Sequence, residues 1–171
     1  MKMTKHEKEA RRAYGDSHNL KGRNLKWKGE FISAGELAEF LPRTIPSYNC
    51  FEGKVTASII KQFPKLQFAL AREGSVCLYV KGYTNKMQLD IIRKAFYRED
   101  RVDEIHLVKG GKITGNMTPK VTDKLSLPKE TPIGKGMFDF KKEGAEEKVN
   151  YRNWNSLPFD LRDTELRLWW D

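Results

Sequence analysis

Residues 66–108 carry the clearest pattern of hydrophobic and polar positions in the chain. Apolar residues alternate with other residues over 66–70 and again over 75–83, and a period of two is typical of β-strands. Turn residues that include Gly74 separate the two runs, so the pattern predicts a β-hairpin. The second run has an apolar face and a mixed face: Val76, Leu78 and Val80 on the first, and Cys77, Tyr79, Lys81 and Tyr83 on the second.

After Gly82 the period changes to that of a helix. Thr84 or Asn85 can cap this helix by accepting a hydrogen bond from an N–H of its first turn. Apolar residues over 87–96 recur at helical spacing and predict one broad apolar face. A third alternating run begins at Ile105. A strand joined through a helix to another strand is a crossover unit, so we expect an α+β (mixed α/β) fold with a β-hairpin–helix–strand core.

The segments before this core have weaker patterns. Residues 1–16 could form a short helix, although its apolar side would be thin. Ser33 followed by Glu36 at the capping-box position predicts a second short helix, which ends before Pro42. Residues 55–63 are compatible with a strand or a short helix, and their β-branched side chains favour the strand.

A basic segment follows the core at 109–136. It holds five glycines, three prolines and six lysines against two acidic residues. Gly110 and Gly111 suit a tight turn that would return Ile113 beside the third strand. Loops of this length within a compact domain are usually functional or disordered. We therefore interpret the segment as a clamp for backbone phosphates, with a surface loop of no binding role as the alternative.

These patterns divide the chain into three parts. We expect a basic N-terminal arm over 1–30, an α+β core domain over 31–142 and a helical, aromatic C-terminal segment over 143–171. At 171 residues a single domain is the default. Hydrophobic residues make up 39% of the chain and charged residues 32%. This balance is polar for a compact domain, so part of the chain is expected to be tail or loop.

Positive charge is concentrated in the N-terminal arm. The formal net charge of the chain is +9, and residues 1–29 hold nine lysines and arginines against three acidic residues. A basic surface favours a polyanionic partner. Cations that contact phosphates and an aromatic ring that stacks on a base, such as Trp27, would together bind nucleic acid. The alternative is a solvated terminus in which Trp27 packs into the core.

The C-terminal segment differs from the arm, because residues 143–171 hold seven acidic and four basic residues. Its apolar side chains are too numerous for a free tail. We favour the interpretation that this segment folds back against the domain. In the alternative, Trp169 and Trp170 bind a protein partner, because aromatic anchors are typical of interfaces.

The sequence has no pattern that indicates a metal or cofactor site. Its two cysteines and three histidines include no pair at ligand spacing, so no cofactor is expected. It also has neither a nucleophile elbow nor the spacing of a phosphate-binding loop. No apolar run approaches the ~20 residues that span a bilayer. We therefore expect no membrane partner and a location in the reducing cytoplasm.

The predicted hairpin, strand ending in Lys81-Gly82, helix and strand resemble the core of the PD-(D/E)xK nucleases. In that family two acidic residues hold Mg²⁺, and a lysine stands two residues after the second of them. Lys81 matches the lysine, whereas Tyr79 and Lys65 stand where the acids belong. The resemblance implies a divergent or inactive relative.

A second resemblance is to RNA-recognition motifs. The sequence LYVKGY at 78–83 is similar to their first aromatic strand motif, and KGMFDF at 135–140 is loosely similar to the second. The chain departs from the second motif at Met137 and Asp139. The resemblance implies a base-stacking platform formed by Tyr79, Phe138 and Phe140.

The leading hypothesis is a non-enzymatic nucleic-acid-binding protein, with DNA ahead of RNA, of the kind found as phage or mobile-element accessory proteins. The first alternative is a protein-interaction module, a small inhibitor or adaptor of a host protein, which docks through Trp169 and Trp170. The second is the divergent PD-(D/E)xK-like nuclease. The residues predicted to bind nucleic acid are Lys21, Arg23, Lys26, Trp27, Lys28, Tyr79, Lys81, Lys109 and Lys112.

Overall fold

The computed structural model describes residues 3–14, 26–118 and 161–171. These residues form four helices and nine strands, which confirms the predicted α+β class. The helices are α1 (Lys5–Tyr14), α2 (Ala34–Thr44), α3 (Gly53–Ile60) and α4 (Lys86–Glu99). The strands are β1 (Lys26–Lys28), β2 (Ile32–Ser33), β3 (Ser47–Tyr48), β4 (Phe51–Glu52), β5 (Gln67–Glu73), β6 (Ser75–Lys81), β7 (Glu104–Lys109), β8 (Lys112–Asn116) and β9 (Glu165–Trp169).

Seven strands form the main sheet, in the order β1-β5-β6-β9-β7-β8, with β2 also paired to β5. Strands β3 and β4 form a separate hairpin. Strand β9 lies antiparallel to both β6 and β7 and separates them. The predicted crossover of β6, α4 and β7 is therefore a split β-α-β unit, in which a strand from near the C-terminus fills the gap. The interpretation that the C-terminal segment folds back against the domain is confirmed for this strand.

The two faces of the sheet differ, because side chains alternate along each strand. One face packs against α2, α3 and α4 and forms the main hydrophobic core. The other face carries a smaller cluster, and we refer to it as the Tyr79 face. Phe31 and Trp169 pack at the margin of this second cluster. Its buried members are Ala69, Ala71, Cys77, Tyr79 and Val108.

Short-range sequence signals predicted the central turns and helix caps correctly. Strands β5 and β6 form the expected hairpin, and Gly74 at its turn has a φ of 73°. The Asn85 side chain accepts a hydrogen bond from the backbone N–H of Gln88 at 2.7 Å and caps α4. Ser33 caps α2 by accepting one from the N–H of Glu36 at 3.2 Å. The turn between β7 and β8 also follows the prediction and places Ile113 opposite Val108.

Two local predictions are wrong. Helix α2 does not end before Pro42 but continues through it to Thr44. A proline in the last turn of a helix removes only one hydrogen bond. The helical hydrogen bond from the Ile45 N–H to the Leu41 carbonyl spans Pro42 and stabilises this last turn. Residues 53–60 form helix α3 instead of the favoured strand. Burial of Thr56, Ala57, Ile59 and Ile60 against neighbouring helices outweighs the weak β preference of this segment.

Two elements of the predicted N-terminal arm belong to the folded unit. Helix α1 packs on α2, and β1 pairs with β5. The Tyr14 hydroxyl at the end of α1 donates a hydrogen bond to the Ala71 carbonyl. Trp27 is partly buried against the main core, 6.4 Å from the Tyr14 ring. None of the helices in the described residues is long and apolar enough to cross a membrane.

Candidate functional site

The Tyr79 face brings together four of the residues that the sequence predicted to bind nucleic acid. Tyr79 and Lys81 lie on β6, and Lys26 and Lys28 lie on β1 with the same alternation. Lys28 is paired with Ala71 on the intervening strand β5. The four residues come together because β1, β5 and β6 are consecutive in the sheet.

Lysine side chains on this face lie over aromatic rings. The Lys28 ammonium is 4.0 Å from the centroid of the Tyr79 ring and 5.3 Å from that of Phe31. The Lys81 ammonium is 4.2 Å from the Phe31 ring. These distances fall within the ~6 Å range of attraction between a cation and an aromatic face. The rings therefore help to hold two cationic groups at the surface of the sheet.

Lys28 crosses the sheet instead of extending away from it. Its ammonium reaches the carboxylate of Glu165 on β9 at 3.1 Å, although two strands lie between β1 and β9. The neighbouring positions on β5 are Ala69 and Ala71, which are too small to block its path. The alternation of small residues on β5 thus shapes the floor on which this lysine lies.

Glu73 is the central acceptor at the other end of the face. Its Oε2 accepts hydrogen bonds from Arg167 Nε at 2.9 Å, Cys77 Sγ at 2.7 Å and the Tyr79 hydroxyl at 3.2 Å. Burial alone would raise the pKa of Glu73, but these donors outweigh burial and hold the pKa below its usual value. Glu73 therefore stays ionised near neutral pH.

The two neighbours of Glu73 on β6 keep their protons. Burial, followed by the adjacent Glu73 carboxylate, raises the pKa of the Cys77 thiol. Burial likewise raises the pKa of Tyr79. Because the thiolate is the reactive form of cysteine, Cys77 is not poised as a nucleophile in this environment.

Arg167 extends the network towards β7. Its Nη1 donates to Glu104 Oε2 at 3.3 Å and lies 3.0 Å from Nδ1 of His106. Burial, with a contribution from the Arg167 charge, lowers the pKa of His106. The imidazole is therefore neutral near pH 7, and its Nδ1 accepts the hydrogen bond from Arg167.

The charges on the Tyr79 face are nearly balanced. Arg167 pairs with Glu73 and Glu104, and Lys28 pairs with Glu165. Within the described residues, Lys26 and Lys81 have no carboxylate at ion-pair distance. These two lysines are thus the cations of this face that remain available to an anionic ligand.

The other predicted nucleic-acid-binding residues lie elsewhere. Lys109 and Lys112 are paired across the turn between β7 and β8. Because Val108 and Ile113 project onto the Tyr79 face, their neighbours Lys109 and Lys112 project to the opposite face. Trp27 also packs on the helical side of the sheet. Lys21 and Arg23 lie outside the described residues, as do Phe138 and Phe140 of the RNA-recognition-motif resemblance.

The two tryptophans predicted to bind a protein partner have different environments. Trp169 is half-buried on the Tyr79 face, and its Nε1 donates to the Glu73 carbonyl at 3.0 Å. Trp170 is completely buried, and its Nε1 donates to the Asp100 carbonyl at 2.9 Å. A partner could reach Trp170 only if this segment left the core. Docking through these residues stays a prediction that the fold does not favour.

Several residues of this face were missed in the sequence. Phe31, Glu73, Arg167 and Ile113 all contribute to it. The alternation of Glu165, Arg167 and Trp169 could have identified a strand with one polar face. Nothing in the sequence indicated that this strand would lie beside β6.

The PD-(D/E)xK resemblance requires a group of acidic ligands beside Lys81. In residues 3–14, 26–118 and 161–171, no group of three or more histidine, cysteine, aspartate or glutamate side chains is placed to hold a metal ion. Lys81 stands over Phe31, and Glu73 is engaged by Cys77, Tyr79 and Arg167. No protein-family model, curated protein or solved structure matches this chain.

Proposed function

We propose that this protein binds nucleic acid through the Tyr79 face, without catalysing a reaction on it. The observation that carries the proposal is the pair of lysines, Lys28 and Lys81, held over aromatic rings on one face of a sheet. Lysines beside aromatic rings are the combination that binds phosphates and bases together. DNA is the first ligand to test, and the proposed location is the cytoplasm.

The charge of the chain supports the same proposal. Its formal net charge of +9 would attract a polyanion over long range and raise the rate of association. On the Tyr79 face, Lys26 and Lys81 supply cations that no carboxylate of the described residues neutralises. Overall charge would thus bring the ligand to the protein, and these lysines would position it.

The test is fluorescence-anisotropy binding of labelled single-stranded DNA, duplex DNA and RNA across a salt series. The variant is Lys26→Ala/Lys81→Ala, and the control is Lys54→Ala/Lys61→Ala. The control removes the same charge from exposed positions at α3, on the opposite side of the sheet. Equal loss of charge makes the position of the lysines the main difference between the two variants.

The Lys26→Ala/Lys81→Ala variant should bind more weakly than the control. The slope of log affinity against log salt should become shallower by about 1.4 for a single strand or about 1.8 for a duplex, as expected for two lost phosphate contacts. The control should keep the wild-type slope. Weak binding of every nucleic acid at low salt would overturn the proposal, and equal losses in both variants would overturn its assignment to this face.

A further inference from the structure

We infer that Glu165 competes with the phosphates of duplex DNA for the ammonium of Lys28. In the free protein Lys28 binds the Glu165 carboxylate, and in the complex it leaves this carboxylate and contacts a phosphate of the DNA backbone. This inference rests on the proposed function, and it adds the form of the ligand and a contact within the protein that weakens its binding. It depends on the exposure of the ion pair, the few contacts of Glu165 and the lysines around it.

The ion pair between Lys28 and Glu165 lies at the surface of the Tyr79 face. The nitrogen and oxygen atoms are 3.1 Å apart, and the side chains of Lys28 and Glu165 are 43% and 26% exposed. An ion pair that water reaches contributes little to stability, because the solvent weakens the attraction between its charges. A phosphate can therefore approach Lys28 and replace the carboxylate without disrupting the fold.

Glu165 has fewer partners than the other carboxylates of this face. Glu73 accepts hydrogen bonds from three side chains, and Glu104 forms an ion pair with Arg167 that holds it beside this network. In the described part of the chain, Glu165 forms one ion pair, with Lys28. A ligand that takes Lys28 from Glu165 thus breaks a single contact.

The position of the Lys28 ammonium does not depend on Glu165 alone. This group lies 4.0 Å from the centroid of the Tyr79 ring and 5.3 Å from that of Phe31. Attraction to the two aromatic rings holds the ammonium above the sheet when the carboxylate is displaced. Lys28 can therefore exchange one anion for another without leaving this surface.

The sheet register places Glu165 beside a second lysine. Val80 on β6 is paired with Leu166 on β9, so the next positions, Lys81 and Glu165, are neighbours at the ends of these strands. Residues that neighbour each other across two strands project to the same side of the sheet. The Glu165 carboxylate thus lies where an anion meets lysines from both β1 and β6.

The lysines of this face suit a ligand with closely spaced charges. Lys26 lies two residues before Lys28 on β1 and projects to the same side, and Lys81 completes the group on β6. Duplex DNA carries one negative charge per ~1.7 Å of helix axis. Its phosphates can contact several of these lysines together, whereas Glu165 offers one carboxylate to Lys28. This multiple contact gives the duplex its advantage over Glu165.

The test compares Glu165→Gln with Glu104→Gln in the binding of a labelled DNA duplex, measured by fluorescence anisotropy. Both changes remove one carboxylate from the Tyr79 face and keep the shape of the side chain. Glu104 pairs with Arg167, which also pairs with Glu73, so the control removes the same charge without freeing Lys28. Each change is also combined with Lys28→Ala. Thermal melting of every variant establishes that it is folded before binding is measured.

Glu165→Gln should bind the duplex about two- to five-fold more tightly than Glu104→Gln, because Lys28 no longer has to leave a carboxylate. This ratio corresponds to about 0.4–1 kcal/mol, which is within the range of exposed ion pairs. When Lys28→Ala is also present, the two glutamate variants should bind equally, since no ammonium remains to be released.

The outcomes separate this inference from the proposed function. Equal binding by Glu165→Gln and Glu104→Gln would overturn the inference and leave nucleic-acid binding intact. A difference that persisted with Lys28→Ala would also overturn it, because Glu165 would then act by repelling the ligand and not by holding Lys28. A wild type that bound single strands but not the duplex would overturn the duplex as the ligand. Weak binding of every nucleic acid at low salt would overturn the proposed function and the inference together.

Discussion

Arg167 Nε donates a hydrogen bond to Glu73 Oε2 at 2.9 Å, although the two residues are 94 positions apart in the chain. Glu73 ends β5, and Arg167 lies in β9. The pair joins the central hairpin to the strand that fills the gap between β6 and β7. It also organises the polar part of the Tyr79 face, because the same carboxylate oxygen accepts hydrogen bonds from the Cys77 thiol and the Tyr79 hydroxyl.

We expect the Arg167→Gln variant to lower the free energy of unfolding by about 1–3 kcal/mol. The change removes a charged donor from Glu73 and Glu104 on a largely covered surface. Urea unfolding of wild type, Arg167→Gln, Glu73→Gln and the double variant would measure this as a double-mutant cycle. A coupling energy of about 1 kcal/mol is expected, whereas additivity within about 0.3 kcal/mol would show that the pair contributes nothing specific.

The position of β9 explains what the sequence could and could not predict. The β5–β6 hairpin and α4 were predictable because their signals are local: alternation, Gly74 at the turn and Asn85 at the cap. The pairing of Cys77 with Trp169 has no local signal, since its two residues are far apart in the chain. Alternation within 165–169 indicates a strand but not its neighbours.

The same distinction applies to the candidate site. Lys28 was selected in the basic arm beside Trp27, and Tyr79 and Lys81 were selected on the mixed face of one predicted strand. The fold brings all three to one face of the sheet. Their acidic partners could not be predicted, because Glu165 lies near Lys28 only when β9 pairs with its neighbours in the observed register. Lys109 and Lys112 were selected for their charge at the predicted hairpin, and strand alternation places them on the face of the sheet opposite the Tyr79 face.

Substitution of adjacent tryptophans should have unequal effects on stability. Trp170 is completely buried and makes edge-to-face contacts with Phe51 at 5.1 Å and Phe96 at 6.4 Å. We expect Trp170→Ala to cost about 3–5 kcal/mol. Trp169→Ala should cost about 1–2 kcal/mol, because Trp169 is half-buried and loses one hydrogen bond. Denaturant unfolding of both variants would measure the difference. Equal, small effects would instead mean that the segment is not held in the core.

Two glycines at the beginning of helices should respond oppositely to replacement by alanine. A Cβ at Gly53 would overlap the carbonyl oxygen of Ile45 and lie 3.0 Å from the Cα of Pro42. Gly53→Ala should therefore cost about 3 kcal/mol or more, because backbone atoms cannot move aside cheaply. At Gly35 in α2 a Cβ would meet no atom within 4 Å. Gly35→Ala should stabilise the protein by about 0.5–1 kcal/mol through its better helix propensity. A melting temperature that Gly53→Ala did not lower would contradict this account of Gly53, and one that Gly35→Ala lowered would contradict that of Gly35.

His6 should make the docking of α1 depend on pH. Its Nδ1 lies 2.6 Å from Glu36 Oε2 and its Nε2 lies 3.2 Å from Glu30 Oε2. Both ring nitrogens must carry protons to donate to two carboxylates, so the docked ring is an imidazolium. Burial lowers the pKa of His6, but the hydrogen bonds and charges of Glu36 and Glu30 outweigh burial and raise the pKa above its usual value.

Because the folded-state pKa of His6 is raised, its contribution to stability is fully present below the unfolded pKa of about 6.5 and is lost as pH rises through the folded pKa. The free energy of unfolding of the wild type should therefore exceed that of the His6→Gln variant at pH 5 and approach it at pH 9. The other charged groups near this ring are Lys5, which pairs with Glu30, and Glu9, which lines a cavity beside His6. They are present in both proteins, so their contributions to stability cancel in the comparison. Trp27 and Leu70 line that cavity with His6, so loosening of α1 should also change the emission of Trp27. A difference between wild type and His6→Gln that stayed constant from pH 5 to pH 9 would show that the two carboxylates do not select the protonated ring.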